Sequence, residues 1–176
     1  MKIFIDPGHG GVNPGAIGID GLEEAEVNLD VSLRLGEILA GRGYDIEYSH
    51  TGDETLSLAE RAKRANDWGA DYYVSIHCNS NTDPSIGGTE TFYYREGIRA
   101  QSFAETVNNA LVAQINLRDI GIFARNLAVL RLTKMPAILV ELAFLTNPTE
   151  ARLLETPEFR QSCAGGLSNG IIEFTS

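Results

Sequence analysis

Three histidines and a handful of glutamates are the residues of this 176-residue chain with the most chemistry open to them. His9 stands in Asp6-Pro7-Gly8-His9-Gly10-Gly11, a glycine-rich turn that follows an apolar run. A phosphate-binding loop also follows a strand, but it needs GxxxxGK[ST], and no lysine follows here. The glycines instead let the backbone turn tightly and project His9 into a cleft; taken alone, the same histidine also reads as plain surface. His77 closes the run Val74-Ser75-Ile76-His77, where a hydrogen-bonded core histidine competes with a functional one. Glu23 and Glu24 precede a long helical segment, and either serves as an N-terminal charge favoured by the helix dipole. Glu141 closes Pro136-Ala137-Ile138-Leu139-Val140-Glu141. A carboxylate desolvated there costs on the order of several kcal/mol unless it is paired, protonated or bound to a cation. Glu141 is therefore a functional candidate, with a buried salt bridge to Arg61 or Arg131 as the alternative. Two histidines and one or two glutamates from separate segments match the ligand set of a catalytic zinc, which takes three protein ligands and leaves one position open. No two of them share a helix as in HExxH. Asp6 either orients a ligand or forms the turn, and the turn is favoured. His50, in a turn after the second strand, reads as solvated and uninvolved.

Positioning these residues requires strands that end together. Lys2–Asp6, Tyr44–Ser49, Asp71–His77 and Ala137–Leu142 read as strands, Gly88–Tyr94 as an edge or half-exposed strand, and Leu127–Leu130 as a weak one. Helical period covers Glu24–Gly41, where Val27, Val31, Leu35 and Ile38 form a stripe. Ser57 and Glu60 have capping-box spacing, which predicts a helix over Leu58–Trp68. Arg99–Asn116 is helical, and Pro148 and Pro157 mark two further helix starts. Alternation of this kind predicts a single α/β domain: a mostly parallel twisted sheet of about six strands, with helices on both faces. In such sheets the site lies beyond the carboxyl ends of the strands. His9, His77 and Glu141 would meet there.

Composition narrows the partners. Hydrophobic residues make up 43% and charged residues 22%, an ordinary globular balance. The formal net charge of -10 argues against nucleic acid and against simple electrostatic attachment to an anionic polymer. No apolar run approaches the roughly 18–20 residues of a membrane span. Met1 lies too close to the Pro7-Gly8 turn for a cleavable leader, which predicts a chain that is leaderless or trimmed from something larger. Cys78 and Cys163 lie in no CxxC pattern. They read as buried thiols, with a single bridge between them left open.

Asp6-Pro-Gly-His9-Gly-Gly, Gly21-Leu-Glu-Glu24, Ser75-Ile-His77-Cys-Asn79 and Pro136-Ala-Ile-Leu-Val-Glu141-Leu-Ala-Phe144-Leu-Thr-Asn147 together resemble the zinc-dependent N-acetylmuramoyl-L-alanine amidases. More narrowly they are similar to the amidase-3 group of autolysins, spore-related wall hydrolases and phage endolysins, and to the catalytic domain of a Bacillus- or Paenibacillus-type autolysin. The resemblance spans nearly the whole chain and implies one amidase-3 catalytic domain over residues 1–176. It implies one zinc ion held by His9, Glu24 and His77, choosing Glu24 over Glu23, with Glu141 as the catalytic acid and base. Cys78 departs from the small residue usual after the second histidine, and Thr146 stands where serine is common. Some relatives carry an inserted occluding helix; only a short segment, about Arg95 to Arg99, is available here, so none is expected. The expected reaction is hydrolysis of the amide between the lactyl group of N-acetylmuramic acid and L-alanine, with Asn79 and Arg131 as candidate substrate contacts. Two rivals stand beside it: a zinc peptidase cutting within the stem peptide, and a non-catalytic wall-binding module with a structural metal. The expected partner is peptidoglycan, met outside the membrane or in the cell wall by a monomer whose wall-binding modules lie outside this chain.

Overall fold

Alternation along the central strands sorts the side chains into two layers. In the computed structural model, which describes residues 1–94 and 98–176, the strands are β1 (Lys2–Pro7), β2 (Asp45–Tyr48), β3 (Tyr72–Asn79), β4 (Thr89–Tyr93), β5 (Asp119–Ala124) and β6 (Ala137–Phe144). The helices are α1 (Glu24–Ala40), α2 (Leu58–Trp68), α3 (Ile98–Ile115), α4 (Ala128–Leu132), α5 (Pro148–Leu154) and α6 (Pro157–Thr175). Ile3, Ile5, Tyr72, Val74, Ile76, Ile138, Val140 and Leu142 face the larger core, which α1, α3 and α6 complete. Phe4, Tyr73, Ala137 and Leu139 point the other way, onto Ala65 of α2 and Val129 and Leu130 of α4. Because strand side chains alternate with period two, Asp6, Ser75, His77 and Glu141 fall on this second face.

The strand order is β2-β1-β3-β6-β4-β5. β1 is parallel to β2 and β3, β3 to β6, and β4 to β5, whereas β4 runs antiparallel to β6. The expected fold class therefore holds, with three corrections of detail. Of the two readings of β4, the half-exposed strand holds and the edge does not: it alternates buried with half-buried residues and lies between β6 and β5. The outer strand on that side is Asp119–Ala124, whose Gly121 and partial burial hid it from a hydrophobic pattern. Leu127–Leu130, expected as a strand, instead caps and begins α4, since a short apolar run has no periodicity to distinguish the two.

Local signals at the helix ends hold. Ser57 and Glu60 form the reciprocal capping box of α2, with Glu60 N–H donating to Ser57 Oγ at 3.2 Å and Ser57 N–H to Glu60 Oε2 at 2.8 Å. Asn147 and Thr156 cap α5 and α6, each with proline in the first turn. Cys78 and Cys163 are both buried and free. Among the described residues no helix is long and apolar enough to cross a membrane. Arg95, Glu96 and Gly97, most of the segment relevant to an occluding helix, lie outside the described residues.

Candidate metal centre and active site

Register at the carboxyl end of β3 builds the floor of the site. His77 pairs with Glu141 on β6, and Glu141 pairs in turn with Glu90 on β4, so the three side chains form one row across the sheet. His9 enters from the loop after β1, where it adopts φ 65°, a left-handed conformation uncommon for a residue with a side chain. Close packing explains two of the glycines around it. A Cβ on Gly8 would lie 2.3 Å from His77 Cε1, and one on Gly15, at φ 72°, would lie 2.5 Å from Glu24 Oε2.

The loop is pinned from below by a buried ion pair. Arg61 of α2 donates to Asp6 Oδ1 at 2.8 Å and also to the carbonyls of Pro7 and His9. Asp6 further accepts from Tyr73 Oη at 2.6 Å and Ser75 Oγ at 2.7 Å. Burial would raise the Asp6 carboxyl, but Arg61 and these hydroxyls outweigh it and hold it below the ordinary range. Asp6 is thus a strut rather than the turn former expected. With Arg61 committed to Asp6, it is not the partner of Glu141. Nor is Arg131, which donates to Asn126 Oδ1 and lines a separate cleft with Tyr94 and Lys134.

Above the strut, three donors converge. Glu24 is the first residue of α1 and only 4% exposed, while its neighbour Glu23 is exposed. Glu24 Oε2 lies 3.2 Å from His9 Nε2, and Oε1 lies 2.9 Å from His77 Nδ1. The chain folds this way because residues 10–23 double back: the Ala16 and Cys78 N–H groups donate to the two Glu24 oxygens at 2.9 and 3.2 Å. Burial alone would raise the Glu24 carboxyl, but hydrogen bonds from His77 and His9 hold it far below its usual value. Burial would lower the His77 imidazole, yet the Glu24 hydrogen bond and the Glu141 and Glu24 charges raise it. One atom from each of His9, Glu24 and His77 lies within 4.8 Å of the others. His9 Nδ1 faces Asn13 Oδ1 at 3.1 Å, an acceptor that places the ring hydrogen there and leaves Nε2 free to ligate. Two imidazole nitrogens and a carboxylate fit zinc in a catalytic site.

Glu141 is the contrast. Its Oε2 is buried without a hydrogen-bond partner among the described residues. Burial, with Glu24 and Glu90 adding repulsion, pushes its carboxyl up to about 7 against the pull of the two histidines. It lines a cavity of about 290 Å³ together with His9 and His77, walled on the α2 and α4 side by Leu58, Phe92, Leu127 and Val129. Asn79 does not line this cavity; its amide donates to Glu90 Oε1. His50 departs most from its expected place. It is 4% exposed and sits against the carbonyls of Pro7 and Gly52. Asn13, Glu90 and Asn28, whose amide donates to the Gly8 carbonyl at 3.0 Å, also brace the site; each acts on a partner distant in space or on a loop, and no periodicity marks it.

A sheet of this order, with an uncompensated acid beside a cluster of three donors, has the make-up of a hydrolase site. Comparison with known proteins narrows the class. The family model for N-acetylmuramoyl-L-alanine amidase (Amidase_3) matches residues 3–173. The sporulation-specific N-acetylmuramoyl-L-alanine amidase of Bacillus subtilis is 39% identical over 97% of this chain and 67% of its own length. LytC of the same organism, an amidase of the same name, is 37% identical over 98% of this chain and 35% of its own length. The crystal structure of the amidase from Clostridium difficile 630 superposes with a TM-score of 0.96 at 34% identity, covering 99% of this chain and 96% of the other. The catalytic domain of CwlV from Bacillus (Paenibacillus) polymyxa gives 0.95 at 34% identity, covering 99% and 97%. The chain belongs to the amidase-3 family of N-acetylmuramoyl-L-alanine amidases, and peptidoglycan is the substrate class of that activity.

Proposed function

We propose that residues 1–176 are one catalytic domain that hydrolyses the bond between the lactyl group of N-acetylmuramic acid and L-alanine with the aid of one zinc ion. His9, Glu24 and His77 would hold the ion, and Glu141 would move the proton. The observation that carries this reading is the unpartnered, buried Glu141 oxygen in the same cavity as the three-donor cluster. Bound zinc supplies a Lewis acid for the scissile carbonyl and makes water a nucleophile at neutral pH. Glu141 takes the proton that this water loses as its oxygen bonds to the lactyl carbonyl carbon. It then returns the same proton to the L-alanine nitrogen as the C–N bond breaks. Burial raises the Glu141 carboxyl in the metal-free site, and a bound cation would pull it back toward the carboxylate that first accepts the proton. The strut of Asp6 and Arg61 braces the loop that carries His9, and the acceptor on Asn13 orients its ring. The apolar wall of Leu58, Phe92, Leu127 and Val129 would exclude water on one side of the acid. Asn79 and Arg131 enter only as outlying substrate contacts. The domain would act as a monomer on wall material outside the membrane.

The deciding experiment digests intact walls with protein of measured zinc content. This reading expects near one equivalent of zinc, new amino termini of L-alanine, and no new reducing sugars. Other amino termini would turn the reading to a peptidase acting within the stem.

A further inference from the structure

His50 is buried between two carbonyl oxygens, one on each ring nitrogen. Nδ1 lies 2.6 Å from the Gly52 oxygen and Nε2 lies 2.9 Å from the Pro7 oxygen. A carbonyl only accepts, and a neutral imidazole carries hydrogen on one nitrogen alone. Only the imidazolium donates to both; the neutral ring would set a lone pair against a carbonyl at contact distance. We infer that His50 is a positioning residue that works as a buried cation, tying the peptide unit just ahead of His9 to the 50–55 loop.

That tie reaches the metal donors through backbone alone. The Pro7 carbonyl fills its two acceptor sites with His50 Nε2 and Arg61 Nη1, and Arg61 also holds the His9 carbonyl. On the other side of His50, the 50–55 loop grips the far end of the same turn. Asp53 Oδ1 accepts from Gly11 N–H at 2.6 Å and Thr55 Oγ1 from Val12 N–H at 2.9 Å. Gly10 is packed against the imidazole, and a Cβ there would lie 3.2 Å from His50 Cε1. His50 thus joins both halves of the turn that carries His9.

The charges around the ring divide by side. From α2, Arg61 shares the Pro7 carbonyl and Arg64 holds the Ser49 carbonyl, and both disfavour a third cation. From β1, Asp6 neutralises Arg61. From the start of α1, Glu23 and Glu26 face the shallow cleft that His50 shares with Asp53 of its own loop, and these three favour the cation. The site is thereby able to keep an imidazolium out of water.

Metal-free protein labelled with nitrogen-15 tests the charge directly. At neutral pH both His50 nitrogens, each set against a carbonyl oxygen, should show the chemical shifts of N–H. A shift typical of a bare ring nitrogen on either atom overturns the inference. This readout needs neither metal nor substrate, so it stands or falls apart from the proposed reaction. The positioning role is read by zinc release to a chelator and rests on His9 being a ligand. His50→Gln, neutral and with donors on one atom only, should release zinc roughly tenfold faster. His50→Arg, which keeps the charge and several donors, should restore slow release. Equal release from His50→Gln and the parent overturns the positioning role even with the ring doubly protonated.

Discussion

Glu24 and Glu141 carry the same side chain, and their surroundings drive them to opposite states. Glu24 is buried, but each of its oxygens is met by a histidine and a backbone N–H, so it stays ionised. Glu141 is buried with one oxygen unmet, so its carboxyl rises to about 7. Charge held in place suits a ligand, and a proton easily gained and lost suits an acid and base. The two roles separate by mutation. Glu141→Gln should keep near one equivalent of zinc and lose turnover by at least about 10²-fold, whereas His9→Ala should lose both. Zinc content by atomic absorption, alongside wall hydrolysis, checks this; a metal-free Glu141→Gln protein would merge the roles. The acid at position 141 was legible in the sequence because a carboxylate ending an apolar strand needs a reason. Glu24 over Glu23 was not legible from residue types, since either fits a helix start. What selects Glu24 is the return of residues 10–23 onto the end of β3, visible only once the strands are placed.

At the scale of elements, the site depends on a helix that contributes none of the three proposed metal donors. α2 delivers Arg61 under the His9 loop, and the loop is secured by that guanidinium and by His50. Removing the arginine leaves Asp6 buried and unpaired, so Arg61→Leu should destabilise the fold by roughly 3–5 kcal/mol at neutral pH. The pH dependence gives a sharper check. In the parent chain the Asp6 carboxyl is held below its unfolded value, so its contribution is complete above that value and fades as pH falls through the lower, folded one. In Arg61→Leu, burial without a partner raises the carboxyl instead, and stability is gained as it protonates. Urea denaturation at several pH values should therefore show the gap narrowing on acidification; a gap independent of pH would separate Arg61 from the Asp6 charge. The elements themselves were largely readable. Caps and prolines placed α2, α5 and α6, and apolar runs placed β1, β3 and β6. β5 and α4 were not readable, because Gly121 breaks the alternation and five residues of α4 give no full period. Ion pairs between elements, such as Asp6 with Arg61, leave no local pattern at all.

For the whole molecule, charge decides how it meets a polymeric substrate. A net -10 gives no long-range attraction to anionic wall polymers. The domain alone should therefore sediment weakly with purified walls, and little better as salt is raised beyond screening; tight co-sedimentation would contradict this. The layout of the sheet also orders events during synthesis, which runs from the amino terminus. His9, Glu24 and His77 and the strands that position them, β2, β1 and β3, are all encoded before residue 80. Glu141 comes with β6, which adds to the open flank of β3 only after residue 137 has emerged. A chain interrupted between those points would carry the three proposed metal donors and lack the proposed proton-transfer group. The last central strand to be made is also the one that supplies Glu141, so closing the sheet and completing the site are a single event.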